Sequence, residues 1–189
     1  MVMTTSRARR SVAGLAMVLA TLVLPSCGTT TLMQPDCESE DPDTLTVIAQ
    51  SVPTAELVPC ISSLAPGWEF DDLSVDQDGA TMLLSSDRGG DRALTVTYER
   101  ACMSAGAKRT PSDETGARRF ERVRSVSPSY AGVRYYDFRG GCVRYDFELE
   151  TDLVSGLLNE ASLMMSFTTR EDLRLRVAAA TDDAIQDAP

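Results

Sequence analysis

Histidine is absent from the 189-residue chain, so its chemistry has to come from cysteine, arginine, tyrosine and the carboxylates. Ser-His-Asp and Cys-His catalysis, imidazole metal sites and histidine pH switches are excluded. Arginine and tyrosine concentrate in one stretch. Between Arg100 and Arg144 there are ten basic residues and four acidic ones, a net of +6. Were Arg118 to Ser125 a strand, Arg118, Arg122 and Arg124 would share a face, with Arg134 and Tyr136 in the next segment. Guanidinium forks beside phenol rings suit an anionic or sugar-bearing partner. Arg118, Arg122, Arg124, Arg134 and Tyr136 are therefore the candidate anion-binding residues. The competing account is that these arginines form surface ion pairs with the acidic remainder of the same domain.

Other constellations carry less. With 28 Asp and Glu residues, an acid-base pair of the glycosidase kind cannot be singled out without geometry. Asp72, Asp76, Asp78 and Gly79 approach a calcium loop, but Ser74 stands where a ligand is required, so a solvated hairpin turn is expected. Ser104 and Lys108 are four apart, not at S-x-x-K spacing. No phosphate-cradling glycine loop and no G-x-S-x-G is present. The net charge of −10 argues against nucleic acid, which demands a basic footprint. No cofactor and no metal site is expected.

The cysteines divide into one and four. Cys37, Cys60, Cys102 and Cys142 form an even set without C-x-x-C or knuckle spacing, so two disulfides are the expected use in an exported chain. Three pairings are possible. Nearest-neighbour pairing, Cys37–Cys60 with Cys102–Cys142, is favoured because it closes the shortest loops.

Cys27 follows a different pattern. Arg7, Arg9 and Arg10 precede an apolar run from Val12 to Leu24, and Leu24-Pro25-Ser26-Cys27 closes it. Thirteen helical residues span roughly 20 Å, short of a ~30 Å hydrocarbon core, which suits a cleaved leader rather than a membrane span. The four closing residues resemble the lipobox of bacterial lipoproteins, with an aliphatic residue three before the cysteine and a small one just before it. That resemblance implies a signal peptide over 1–26, cleavage after Ser26 and lipidation of Cys27 by acyl chains such as palmitate. Two or more chains hold a protein stably on a bilayer. Localisation is then the cell membrane, extracytoplasmic face.

These residues need elements to position them. Residues 27–43 read as the lipidated cysteine and an acidic tether. Residues 44–180 read as one α+β domain, and 181–189 as a disordered tail. Leu45, Ile48, Ala49 and Val52 recur at helical spacing behind an Asp43 cap, and Ala55 to Cys60 is a second short turn between prolines. The period then changes to two. Strands are expected over Trp68–Val75, Ala80–Ser85, Ala93–Arg100, Arg118–Ser125, Val133–Arg139 and Cys142–Glu150, with Ala101 to Gly116 a polar loop. Asp152 opens a helix carrying Leu153, Leu157, Ala161 and Met164, and a capping box at Thr169 starts the last helix. The expected fold is two antiparallel three-stranded meanders, about six strands, with helices from both chain ends packing on one sheet face.

Pro59-Cys60-Ile61, Pro66-Gly67-Trp68 and Gly140-Gly141-Cys142-Val143 resemble segments of uncharacterised exported lipoproteins of high-GC bacteria, and that resemblance implies no activity. The expected function is a membrane-anchored extracytoplasmic lipoprotein with a non-enzymatic binding or scaffolding domain at the cell envelope. Its partners would be the membrane, through the lipid, and an envelope protein or anionic polymer. The alternative is an envelope hydrolase using an Asp/Glu acid-base pair. Loss of a single carboxylate would abolish a hydrolase and spare a binding module.

Overall fold

The first helix, α1 (Asp43–Ser51), forms where Leu45, Ile48 and Ala49 recur on one face, and that face is buried. Pro42 occupies the position before it, so Asp43 is the first helical residue rather than the cap. Its N–H is taken by Asp41 Oδ1 at 3.0 Å, and its charge sits favourably in the first turn. The computed structural model describes residues 33–186. The leader, the lipobox with Cys27 and the last three residues lie outside the described residues.

Leu57–Ile61 is a strand, β1, not the short turn expected over Ala55 to Cys60. It pairs with a strand the sequence conceals, Met165–Thr169, in a two-stranded antiparallel ribbon that aligns Pro59 with Phe167. A ribbon with open edges tolerates a proline that a central strand would reject. Pro35 and Cys37 exchange backbone hydrogen bonds with Ile61 at 2.7 and 3.0 Å, which holds residues 35–37, just before the acidic run, against β1.

The larger sheet is built from β2 (Trp68–Val75), β3 (Gly79–Ser86), β4 (Gly90–Glu99), β5 (Lys108–Thr110), β6 (Arg118–Ser125), β7 (Tyr130–Phe138) and β8 (Gly141–Leu149). All neighbours are antiparallel, in the order β2-β3-β4-β8-β7-β6-β5. The two expected meanders are thus one continuous sheet, joined where β4 pairs with β8 through Leu94 opposite Phe147 and Val96 opposite Tyr145. Seven strands replace six because β5 lies in the expected polar loop. Three polar residues are too few for alternation to mark a strand, and β5 pairs only with β6. The β2–β3 turn is an Asx turn: Asp76 Oδ1 accepts from the backbone N–H groups of Asp78 and Gly79 at 2.8 and 3.1 Å.

After β8 come α2 (Val154–Met164), β9 (Met165–Thr169) and α3 (Arg170–Gln186). No loop separates these three, so Met164 to Phe167 passes from helix to strand without a sequence break. Thr169 Oγ1 accepts from the Asp172 N–H at 3.0 Å, the expected cap of α3.

One face of the sheet carries the main core. Met82, Leu84, Leu94, Val96, Tyr98, Val143, Tyr145, Phe147 and Leu149 meet Leu45 and Ile48 of α1, Leu157 and Ala161 of α2, and Leu173 of α3. The architecture is α+β. The opposite face holds a smaller cluster of Val133, Tyr135 and Cys142, packed by Cys102, Ala107 and Phe120. The disulfides are Cys37–Cys60 and Cys102–Cys142, with Cα atoms 5.0 and 5.6 Å apart. The second staples the loop after β4 onto this opposite face. Gly140, at φ +75°, turns the β7–β8 hairpin, and the Thr54 carbonyl lies where a Cβ would stand.

Candidate functional site

The β6–β7 register decides where each candidate residue points. Arg119 lies opposite Tyr136 and Glu121 opposite Arg134, whereas Arg118 lies opposite Asp137 and Arg122 opposite Val133. Side chains alternate along a strand, so these two sets occupy opposite faces. Arg134 and Tyr136 turn toward the helices, 5% and 1% exposed. Arg118 and Arg122 turn toward the face that carries Val133 and Tyr135. Arg124, next to a register shift, reaches Asp146 at 3.4 Å. The five candidate anion-binding residues therefore divide between two faces and form no single surface.

On the open face the arginines are engaged. Arg118 pairs with Asp137, Arg122 Nη1 donates to the Ala105 carbonyl at 3.2 Å, and Asp146 is shared by Arg124 and Arg144. Arg144 also approaches Glu99 across the β4–β8 junction at 3.9 Å. Arg139 pairs with Glu56 beside β1 at 2.9 Å. Ion pairing within the domain accounts for most of the basic central segment.

The helix-covered face holds a cleft of about 410 Å³ between α2 and strands β6 to β8. Leu157 and Ala161 press α2 onto the core, and its next face, Ser155, Leu158, Asn159 and Ser162, forms one wall. Residues three and four apart line up along a helix, which is why these four share a side. Val123, Tyr130 and Phe147 form the strand wall.

A charge network lies along that wall. Glu121 Oε1 accepts from Arg134 Nε at 2.7 Å and from Arg119 Nη2 at 2.6 Å. Arg119 Nη1 stands 3.1 Å from Asp113 Oδ2, and Asp113 Oδ1 accepts the Tyr136 hydroxyl at 2.9 Å. Arg134 also donates to Ser162 Oγ, and its guanidinium lies 5.5 Å over the Phe147 ring. Partial burial alone would raise the Glu121 and Asp113 carboxyls. It is outweighed at Glu121 by hydrogen bonds from Arg119 and Arg134, and at Asp113 by the Tyr136 hydroxyl and the two arginine charges, so both sit below the usual carboxylate range. Burial pushes Tyr136 upward, which keeps it the donor in its bond to Asp113. Glu114 is opposite in behaviour, pushed up to about 6 by burial and by the charge of Asp113.

Arg134 and Tyr136 are thus at the site, but Glu121, Asp113, Arg119, Ser162 and Asn159 were not singled out from sequence. Arg119-Phe120-Glu121 does alternate, and a hairpin register placing Glu121 opposite Arg134 would have exposed the pair. Nothing local marks the α2 wall. Among the described residues, no group of three or more Cys, Asp or Glu is arranged to hold a metal ion, and no helix is long and apolar enough to cross a membrane. No family model, curated protein or solved structure matches the chain.

Proposed function

We propose that the chain is an extracytoplasmic lipoprotein, tethered through Cys27, whose disulfide-stapled domain binds a small ligand in the cleft between α2 and β6–β8. The observation that carries the binding reading is Arg134, a guanidinium 5% exposed on the wall of an open cleft. Sites of this kind combine apolar walls with a few fixed polar groups. The lipobox resemblance and the two disulfides support export. A hydrolase working through an Asp/Glu pair needs one carboxyl kept protonated beside an ionised one. Asp113 and Glu121, the carboxylates that line the cleft, are both held toward the ionised form, and Glu114, the carboxyl pushed up to about 6, is not among the residues lining it, which favours binding over that chemistry.

Two experiments test this reading. The variant Cys27→Ala is expected to leave the membrane fraction, and its retention there would overturn the anchor. For the cleft, Leu158→Trp puts a bulky ring into it from the α2 wall without altering any charge. The low-mass fraction of an envelope extract should raise the melting temperature of the wild-type protein and not that of Leu158→Trp. Equal shifts in both would remove the cleft from the proposal, and hydrolytic activity lost on Asp113→Asn or Glu121→Gln would replace binding with catalysis.

A further inference from the structure

We infer that the ligand of this cleft is a monocarboxylate carried on a small apolar body, with Arg134 as its anchor. The inference rests on the cleft being the binding site and adds the chemistry of what enters it. Arg134 Nε donates to Glu121 and Nη1 to Ser162. The Ser162 hydroxyl in turn donates to the Leu158 carbonyl at 3.1 Å, so it meets Arg134 as an acceptor. Nη2 has no hydrogen bond to any described residue, and it is not among the buried polar side-chain atoms left without a partner. Arg134 lines the cleft, so Nη2 is the guanidinium nitrogen left for a ligand there. A cation this deeply desolvated with an open N–H-bearing nitrogen is short of an acceptor, and a ligand oxyanion supplies one in a charge-assisted hydrogen bond.

Charge selects the kind of anion. Arg119 and Arg134 are balanced by Asp113 and Glu121, so the network is formally neutral. A monoanion leaves one excess negative charge beside the open nitrogen. A phosphate brings close to two, next to Glu121 and Asp113, where like charges repel in a partly desolvated setting. The remaining walls select the body. Within the cleft of about 410 Å³, Val123, 55% exposed, stands with Tyr130 and Leu158 as an apolar contact for one aromatic or branched aliphatic group, beside the polar Ser155 and Asn159.

The test is calorimetric titration of the full chain in detergent micelles, with micelles alone as the blank. N-acetylphenylalanine, its neutral carboxamide and phenyl phosphate are the probes. The acid is expected to bind saturably and at least tenfold more tightly than the other two. Arg134→Lys, which keeps the charge but loses the fork, should remove that preference, and Leu158→Trp should abolish binding of all three. Should Arg134→Lys fail to fold by near-ultraviolet circular dichroism, Leu158→Trp and the probe comparison carry the test. Equal binding of acid and carboxamide overturns the carboxylate and leaves the cleft standing. Tightest binding by phenyl phosphate overturns the charge argument. Saturable acid binding undiminished in Leu158→Trp overturns the carboxylate site and the cleft together, and no binding of the acid overturns the carboxylate.

Discussion

Glu121 accepts from two guanidiniums through one oxygen, Oε1. Replacing that carboxylate by an amide leaves the shape and removes the charge that both arginines need. Glu121→Gln is expected to destabilise the fold by about 2 kcal/mol, because hydrogen bonds to charged groups are worth more than neutral ones and Arg134 cannot turn to solvent. Urea unfolding measures the loss. Glu114 makes the opposite prediction. Its pKa is raised from 4.5 to about 6 in the folded protein, so the folded state holds the proton more tightly than the unfolded one. Stability is then highest below pH 4.5 and falls as pH rises toward 6 for this group. Glu114 is only partly buried, and solvent screening limits the effect at pH 7 to at most about 1 kcal/mol. Glu114→Gln should gain up to that amount at pH 7 and flatten this part of the pH profile, read by melting at pH 4, 5, 6 and 7.

At the scale of elements, the C-terminal half of the chain holds the N-terminal half in place. Arg170, the first residue of α3, donates to the carbonyls of Ala49 and Val52 at the end of α1, each at 2.8 Å, and to that of Ala55 at 2.7 Å. The last carbonyls of a helix lack partners of their own, and a cation there also meets the negative end of the helix dipole. Arg170→Ala is expected to cost about 2 to 3 kcal/mol, with amide exchange in Asp43–Ser51 accelerated more than in the central strands. Farther along α3, Arg176 reaches the Cys37 carbonyl at 2.6 Å. Thr169→Ala removes the cap of α3 and should cost about 1 kcal/mol, which denaturant unfolding can resolve from the larger Arg170 effect. On α2, Glu160 accepts from the Trp68 indole at 2.7 Å and twice from Arg88 at 2.8 Å. That clamp holds the helix over the first meander while Ser162 holds it over the second, and the cleft is the space left beside the latter.

For the whole molecule the disulfides matter most. They span 23 and 40 residues, and in the chain-entropy picture each stabilises by roughly 3 to 4 kcal/mol. The two should differ in what else is lost. Serine at both Cys102 and Cys142 is expected to free the loop that covers Val133 and Tyr135, so proteolysis should cut between 101 and 117 first. Serine at both Cys37 and Cys60 should instead release the segment before α1, seen as faster amide exchange in residues 35–42. Without the leader the chain carries −13, which repels an anionic bilayer at low salt. The attachment at Cys27 is what would hold it there.

The sequence alone determined the features that depend on short spacings. The lipobox resemblance, the absence of histidine chemistry, the Thr169 cap and six of the strands are all local, because period, cap and turn are properties of neighbouring residues, whereas four cysteines allow three pairings and only the fold brings Cys37 to Cys60 and Cys102 to Cys142. Tertiary structure decided what depends on pairing between distant segments. Strand β5 is too short to show a period, β1 and β9 become strands only by finding each other, and the two meanders fuse only through β4 and β8. The candidate site divides for the same reason. Arg118, Arg122 and Arg124 were grouped with Arg134 and Tyr136 by proximity in sequence, but the hairpin register places neighbouring residues on opposite faces. That register sends Arg134 inward to Glu121 and leaves Arg118 to Asp137, Arg124 to Asp146 and Arg122 to the Ala105 carbonyl on the open face. Only the packing of α2 across β6 to β8 then turns a charge pair into the wall of a cleft.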